Sequence, residues 1–264
     1  MVRGENMIER KKGEGDLLCL VLAAGKGTRM KSDLAKVLHS LCGRPLLAYV
    51  VDTARRVGAA RTVIIIGHQA DRVRESVRGE DLVFVEQKEQ LGTGHAVRIA
   101  RDNFRDWKGP ILILCGDVPL LTPKTLESLL LEHHASGAAV TVLTTVLEDP
   151  GSYGRVIKGE DGEVLRIVEA RDASEEERRV REINAGIYCA GGGFLAEAVG
   201  EIRNENAQKE YYLTDIVEIA RGRGLRVRSV VADFPPEVMG INTPEDLGEA
   251  ERLVRSGFLG SCTS

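Results

Sequence analysis

Leu17-Leu18-Cys19-Leu20-Val21-Leu22-Ala23-Ala24-Gly25-Lys26-Gly27-Thr28-Arg29-Met30 is the stretch that decides the fold. Its first half, Leu17–Ala24, is apolar without alternation. That is the pattern of a strand covered on both faces, as in a parallel sheet. Its second half is a glycine-bearing turn. Gly25 and Gly27 let the backbone turn sharply and approach a ligand closely. Successive N–H groups in such a turn can face phosphate oxygens. Arg29 adds a planar, permanently charged fork, and Lys36 supplies a second cation further on. The segment has neither the Gly-x-x-x-x-Gly-Lys-Ser/Thr spacing nor the Gly-x-Gly-x-x-Gly spacing. Read alone, it is therefore either a phosphate cradle or an ordinary strand-to-helix turn with surface cations.

Outward from this stretch, strands and helices alternate. Helices are expected from about Pro45 to Val57, over Asp71–Val77, over Gly94–Phe104 and over Pro123–Ser136. Strands are expected over Arg61–Ile66, Leu82–Val85, Pro110–Cys115 and the Val- and Thr-rich Ala138–Val146. This rhythm implies an α/β fold: a mostly parallel twisted sheet with helices on both faces, Rossmann-like. Near Asp149 the rhythm changes. Arg155–Lys158 and Glu163–Val168 flank Gly159-Glu160-Asp161-Gly162, which reads as an inserted β-hairpin forming one wall of a cleft. A strand over Ile183–Ala190, a helix over Tyr211–Ala220 and a strand over Leu225–Ala232 follow. Thr243 caps a last helix that begins at Pro244 and runs to about Arg255. The expected organisation is a leader over 1–16, one domain over 17–257 and a tail over 258–264.

The 264 residues are 43% apolar and 29% charged, a globular balance, with a formal net charge of -4. There is no long basic run, so nucleic acid is not an expected partner. A polyanionic substrate must then be met by a few placed cations, backbone N–H groups or a metal. No apolar run approaches the length needed to span a bilayer. The five cysteines lack Cys-x-x-Cys spacing, which suits reduced thiols and a cytoplasmic setting.

Asp117 lies just past the expected strand Pro110–Cys115. Ligands of open α/β sheets bind outside the carboxyl ends of strands. A carboxylate there can hold Mg²⁺, or it can cap the following turn. Asn242, taken to follow a strand and open the last helix, is either a second oxygen ligand or an N-cap. His133 and His134 are expected to face solvent, and His95 to pack in a helix or support the site. Tyr211 and Tyr212 are expected to pack at the head of a helix. Glu175–Arg179 reads as a solvated helix face.

Eight strings occur in order: LAAGKGTRM (22–30), KVLH (36–39), EQLGTGHAV (89–97), GDVPLL (116–121), YGRVI (153–157), IVEARDAS (167–174), EINAGIY (182–188) and NAQKEYYLTDIVE (206–218). Together they resemble the uridyltransferase domain of the bacterial bifunctional N-acetylglucosamine-1-phosphate uridyltransferase family, over about Leu17–Arg255. The resemblance implies transfer of a uridylyl group from UTP to N-acetylglucosamine 1-phosphate with release of pyrophosphate, a step in cell-wall precursor synthesis. It implies that Leu22, Ala23, Ala24 and Gly25 line the base and ribose. Arg29 and Lys36 would contact the triphosphate, and Gln87, Gln90, Gly92 and Thr93 would shape the uracil pocket. Asp117 and Asn242 would bind a catalytic Mg²⁺, and Gly154, Glu169 and Asn184 would hold the sugar. Cys115 stands where the family often has Tyr, and Ala35 where Pro often precedes the lysine. Acetyl transfer and the β-helix trimer of full-length members are not expected of these residues, and the oligomeric state stays open. Two alternatives remain: a transferase for another sugar 1-phosphate or base, and a non-catalytic nucleotide-sugar sensor on the same fold.

Overall fold

The computed structural model describes residues 16–259. The expected leader lies outside the described residues except for Asp16, and the expected tail except for Phe258 and Leu259. The described strands are β1 (Leu17–Ala23), β2 (Ser40–Leu41), β3 (Arg44–Pro45), β4 (Ala59–Ile66), β5 (Leu82–Glu86), β6 (Pro110–Cys115), β7 (Val140–Val146), β8 (Arg155–Lys158), β9 (Val164–Val168), β10 (Glu182–Gly191) and β11 (Val227–Val231). The described helices are α1 (Leu46–Arg56), α2 (Ala70–Ser76), α3 (Thr93–Ile99), α4 (Pro123–Ser136), α5 (Glu175–Arg178), α6 (Gly192–Glu201), α7 (Asp215–Gly222), α8 (Pro235–Val238) and α9 (Pro244–Arg255).

The main sheet runs β11-β7-β10-β6-β1-β4-β5, with β8 and β9 joined to it through β10. β1 pairs in parallel with both β4 and β6, which explains its unbroken apolar character. Its side chains divide between two cores. Leu18 and Leu20 face Ala96 of α3, Leu195 of α6 and Ile216 of α7. Cys19 and Val21 face Leu47 of α1, Val73 of α2 and Leu126 of α4. Ile111 and Ile113 of β6 go with the first set, and Leu112 and Leu114 with the second. The sheet is thus covered on both faces, as the period-2 geometry of a strand requires. Among the described residues, no helix is long and apolar enough to cross a membrane.

The last helix forms as its first residues dictate. The Thr243 side chain accepts from Asp246 N at 3.1 Å, and Asp246 Oδ2 accepts in return from Thr243 N at 2.9 Å. This reciprocal cap precedes Pro244 at the first turn. Thr243→Ala is expected to cost about 1 kcal/mol of stability. A thermal melt should record a fall of about 2–4 °C, and an unchanged midpoint would refute the cap's contribution. α5 likewise starts from a Ser174–Glu177 cap and has no buried residue, as its charge run implies.

Two features carry no signal in the sequence, and two readings are corrected. β10 runs antiparallel to both β6 and β7, a reversal that apolar patterning does not report. α6 was not expected, because Gly191-Gly192-Gly193 disfavours a helix intrinsically and tertiary packing overrides that preference. The helix expected from Tyr211 starts at Asp215, since the Tyr211 and Leu213 amides bond Leu91 O and Thr93 Oγ1 instead. His133 does not face solvent. It is 7% exposed, and its Nδ1 lies 3.0 Å from Thr141 Oγ1, whereas His134 is exposed.

Burial pushes the His133 pKa down from 6.5 to about 4, with the His134 charge adding to the effect. Between these values the unfolded chain binds more protons than the fold. Stability is therefore held above pH 6.5 and lost as the pH falls toward 4. Denaturant midpoints for His133→Gln should show a shallower fall over that window than those of the parent chain. Parallel curves would refute the assignment.

Candidate active site

The carboxyl ends of β1, β5 and β6 open onto one cleft of about 360 Å³. Leu22, Ala23, Ala24 and Gly25 line it from the end of β1 and the turn beyond. Gln87, Gln90, Gly92 and Thr93 line it from the segment between β5 and α3, and Cys115 and Asp117 from the end of β6. Lys36, Val37, Ala96 and Glu210 complete the wall. This is where an open α/β sheet places a ligand.

Gly27 determines how the first loop meets Lys36. Its φ is +71°, and a Cβ there would lie 2.6 Å from Lys36 Cβ. The lysine stem therefore packs directly on the glycine turn, and its ammonium is delivered to the cleft floor. There Lys36 Nζ pairs with Asp117 Oδ2 and donates to Asn242 Oδ1 at 2.8 Å. Arg29 Nη2 donates to the same Asn242 oxygen at 2.8 Å. Asn242 Nδ2 donates to Gly240 O at 2.8 Å, which fixes which end of the amide faces the cations. Ile241 N donates to Asp117 O at 2.9 Å, tying the two segments together through the main chain. Asn242 does not follow a strand as expected: it lies between α8 and α9, and Thr243 is the cap. The α9 cap also holds Asn242, because Asp246 Oδ2 accepts from Asn242 N at 2.9 Å.

The segment before α3 is held from two sides. Gln87, 4% exposed, donates through Nε2 to Gly92 O at 3.1 Å, and His95 Nδ1 lies 3.0 Å from the same amide nitrogen. His95 thus supports the loop, as expected. Gln90 Nε2 reaches across to Ala24 O at 2.7 Å and joins this segment to the first loop. Tyr211 N donates to Leu91 O at 2.8 Å, and Tyr211 O accepts from Gly94 N at 2.7 Å.

A polar wall adjoins the cleft. A break in the β10–β7 register between Asn184 and Ile187 places Asn184 at a bulge, a device that re-aims side chains beside functional sites. Asn184 Nδ2 donates to Tyr188 Oη at 2.7 Å, and Asn184 N donates to Gly154 O at 2.9 Å. The Glu169 carboxylate oxygens lie 3.5 Å from the Cβ position of Gly154, and Thr214 Oγ1 donates to Glu169 Oε1 at 3.4 Å. Burial raises the Glu169 pKa, the Thr214 hydrogen bond opposes it, and the charges of Asp172 and Glu210 reinforce it. Burial likewise raises that of Tyr188, helped by the Glu169 charge. Cys115 Sγ donates to Gly186 O at 3.3 Å and links this wall to the cleft.

All fifteen residues expected to form the site thus fall in one region on two adjoining surfaces. Tyr188, Thr214, Glu210 and Tyr153 are additional. Tyr153 lies near Asp117, Asp246 and Arg29, with its pKa raised chiefly by burial. Each of the four occurs inside a string quoted above, yet a strand or loop position alone does not reveal that it faces a ligand.

Residues 19–183 match the MobA-like NTP transferase domain. The chain is 55% identical over 242 residues to the bifunctional protein GlmU of Geobacter metallireducens, covering 91% of this chain and 51% of that protein. It is 50% identical over 240 residues to the bifunctional protein GlmU of Brevibacillus brevis, covering 91% of this chain and 52% of that one. The chain spans about half the length of the curated relatives it matches. A solved structure of UDP-glucose pyrophosphorylase complexed with UDP-glucose aligns with a TM-score of 0.73 at 18% identity, over 91% of this chain and 99% of that one. This last likeness is one of fold.

Proposed function

The chain belongs to the MobA-like NTP transferase domain family, and from that premise we propose that it transfers a uridylyl group from UTP to N-acetylglucosamine 1-phosphate, releasing pyrophosphate. The observation that carries the reading is the meeting of Arg29, Lys36, Asp117 and Asn242 beside a glycine-turned loop. Two permanent or readily held positive charges face the place where a triphosphate would lie. One carboxylate and one amide oxygen converge with them. The similarity to proteins named bifunctional GlmU supports the sugar assignment. So does the polar wall of Glu169 and Asn184, since a buried polar site rejects substrates that leave its groups unpaired.

A divalent cation fits these residues. Asp117 and Asn242 present hard oxygens that already hold a cationic group, the Lys36 ammonium. Among the described residues, no group of three or more His, Cys, Asp and Glu side chains gathers around a metal position. One carboxylate and one amide, completed by phosphate oxygens and water, is the donor set Mg²⁺ commonly accepts. When bound, Mg²⁺ would neutralise the charge developing on the phosphates. A phosphate oxygen of the sugar phosphate attacks the α-phosphorus of UTP. The new O–P bond forms as the bond between the α-phosphorus and its bridging oxygen to the β-phosphate breaks, and the electron pair leaves with pyrophosphate. The attacking oxygen is already anionic, so no side-chain base is needed. The chain's own work is positioning and electrostatics. Arg29 and Lys36 oppose charge on the triphosphate, the Leu22–Gly25 backbone and Gln87–Thr93 orient the nucleoside, and Gly154, Glu169 and Asn184 orient the sugar. A reaction fed by UTP belongs in the cytoplasm, and that setting is part of the same proposal.

The test is pyrophosphate release across a grid of nucleoside triphosphates and sugar 1-phosphates with Mg²⁺. UTP with N-acetylglucosamine 1-phosphate should give the highest kcat/KM. A higher value for glucose 1-phosphate or another base would overturn the substrate assignment, and binding without release would overturn the activity.

A further inference from the structure

We infer that Lys36 is a built-in competitor for the divalent cation, so that the metal enters the site only once a triphosphate has drawn the lysine away. This rests on the reading of Asp117 and Asn242 as the cation's ligands. The ammonium of Lys36 pairs with Asp117 Oδ2 and donates to Asn242 Oδ1 at 2.8 Å, using one oxygen from each residue. Arg29 adds a second positive group on the same Asn242 oxygen, at 2.8 Å. The amide cannot turn a fresh lone-pair face to a metal by flipping, because its Nδ2 is bonded to Gly240 O at 2.8 Å. A flip would also put N–H groups against two cations. A divalent ion on these oxygens would therefore stand within a few ångströms of both Lys36 and Arg29. At such separations the two unit charges cancel much of the attraction that one carboxylate and one amide supply, so the ion is held far less firmly than it would be with the lysine withdrawn.

The lysine is placed to give way over a short distance. Its Cβ is pinned against the Gly27 turn, so its root stays fixed while the outer torsions remain free to swing the ammonium. A triphosphate lying along that turn supplies the acceptors to which it would swing. The same swing would leave Asp117 Oδ2 and Asn242 Oδ1 open together. One movement thus exchanges an internal ion pair for a lysine–phosphate pair and a metal–carboxylate pair. The order of addition follows: the nucleotide enters before the metal or with it, and free metal binds poorly.

Manganese bound to the whole chain, read by water-proton relaxation, tests this without turnover. The parent protein, Lys36→Met and Lys36→Gln would be titrated with Mn²⁺ in the absence of nucleotide, then the parent with UTP present. Methionine keeps the stem that packs on Gly27 and removes the charge; glutamine is the second choice should the methionine variant fail to fold. The neutral variants should bind Mn²⁺ on the order of tenfold or more tightly than the parent without nucleotide. An Asp117→Asn change added to either should abolish that gain. Equal or weaker Mn²⁺ binding by both neutral variants, with normal Mn²⁺ uptake by the parent in UTP, would overturn the competition and leave the cation site standing. Absence of protein-bound Mn²⁺ even with UTP would overturn the cation site itself.

Discussion

Asp117→Ala should lower kcat for pyrophosphate release by about 3–4 kcal/mol in barrier, a few hundredfold or more, while the protein stays folded. The size follows from removing one preorganised electrostatic group at a site where charge develops. The fold should survive because the residue's structural contribution is made by its backbone: Asp117 O accepts from Ile241 N at 2.9 Å, a bond that alanine keeps. Its side chain is at the cleft surface, 16% exposed, and its partner is Lys36. Losing it frees a lysine that has Asn242 Oδ1 as a second acceptor. Steady-state kinetics and a thermal melt of the same preparation separate the two effects. Near-parent turnover by a folded variant would refute the metal role. A collapse of the melting midpoint would show Asp117 to be structural.

Gly92→Ala is the second large effect, and it acts on the fold first. Gly92 has φ 106° and ψ 173°, a conformation that is essentially restricted to glycine. A Cβ there would lie 2.6 Å from Tyr211 O and 2.9 Å from Tyr211 N. These are main-chain atoms, already engaged with Gly94 N at 2.7 Å and Leu91 O at 2.8 Å, so they cannot step aside without breaking those bonds. Backbone strain and overpacking together should cost about 3 kcal/mol, lowering the melting midpoint by about 6–12 °C. The segment that shifts also carries Gln87, Gln90 and Thr93 along the cleft. KM for UTP should therefore rise about tenfold or more. A midpoint within about 2 °C of the parent would show that the two loops part without cost.

Asp117→Ala is thus expected to separate activity from stability, and Gly92→Ala to join them. The difference has a structural origin: one residue offers its side chain to the cleft, and the other lets two backbones approach.

Most of the sheet was legible because its strands carry their own signal. Leu17–Ala23 and Pro110–Cys115 are covered on both faces and are apolar throughout. α9 was legible from its start, through Thr243 before Pro244. What failed to show depended on partners distant in sequence. The direction of β10 is set by its neighbours β6 and β7, and its residues would look the same in either direction. The start of α7 was misplaced because Tyr211 and Leu213 spend their amides on the Leu91–Thr93 segment. His133 was misplaced because Thr141, on the following strand, gives its ring a partner.

Arg29, Lys36, Asp117 and Asn242 were singled out by residue type and position, which argue for phosphate and a hard cation, and the other site residues by the family resemblance. Local order in the sequence thus determined the α/β architecture, the glycine turn after the first strand and the chemical inventory of the cleft. Only the tertiary structure decided which groups meet. Lys36 and Asn242 are 206 positions apart and Arg29 and Asn242 are 213, and each pair shares a hydrogen bond of 2.8 Å. The tertiary structure also placed Glu169 under Thr214 and set Asn184 on a bulge. A strand's polarity pattern reports which face is covered. It carries no information about which distant oxygen an ammonium will reach, because sheet order and loop packing alone set that distance.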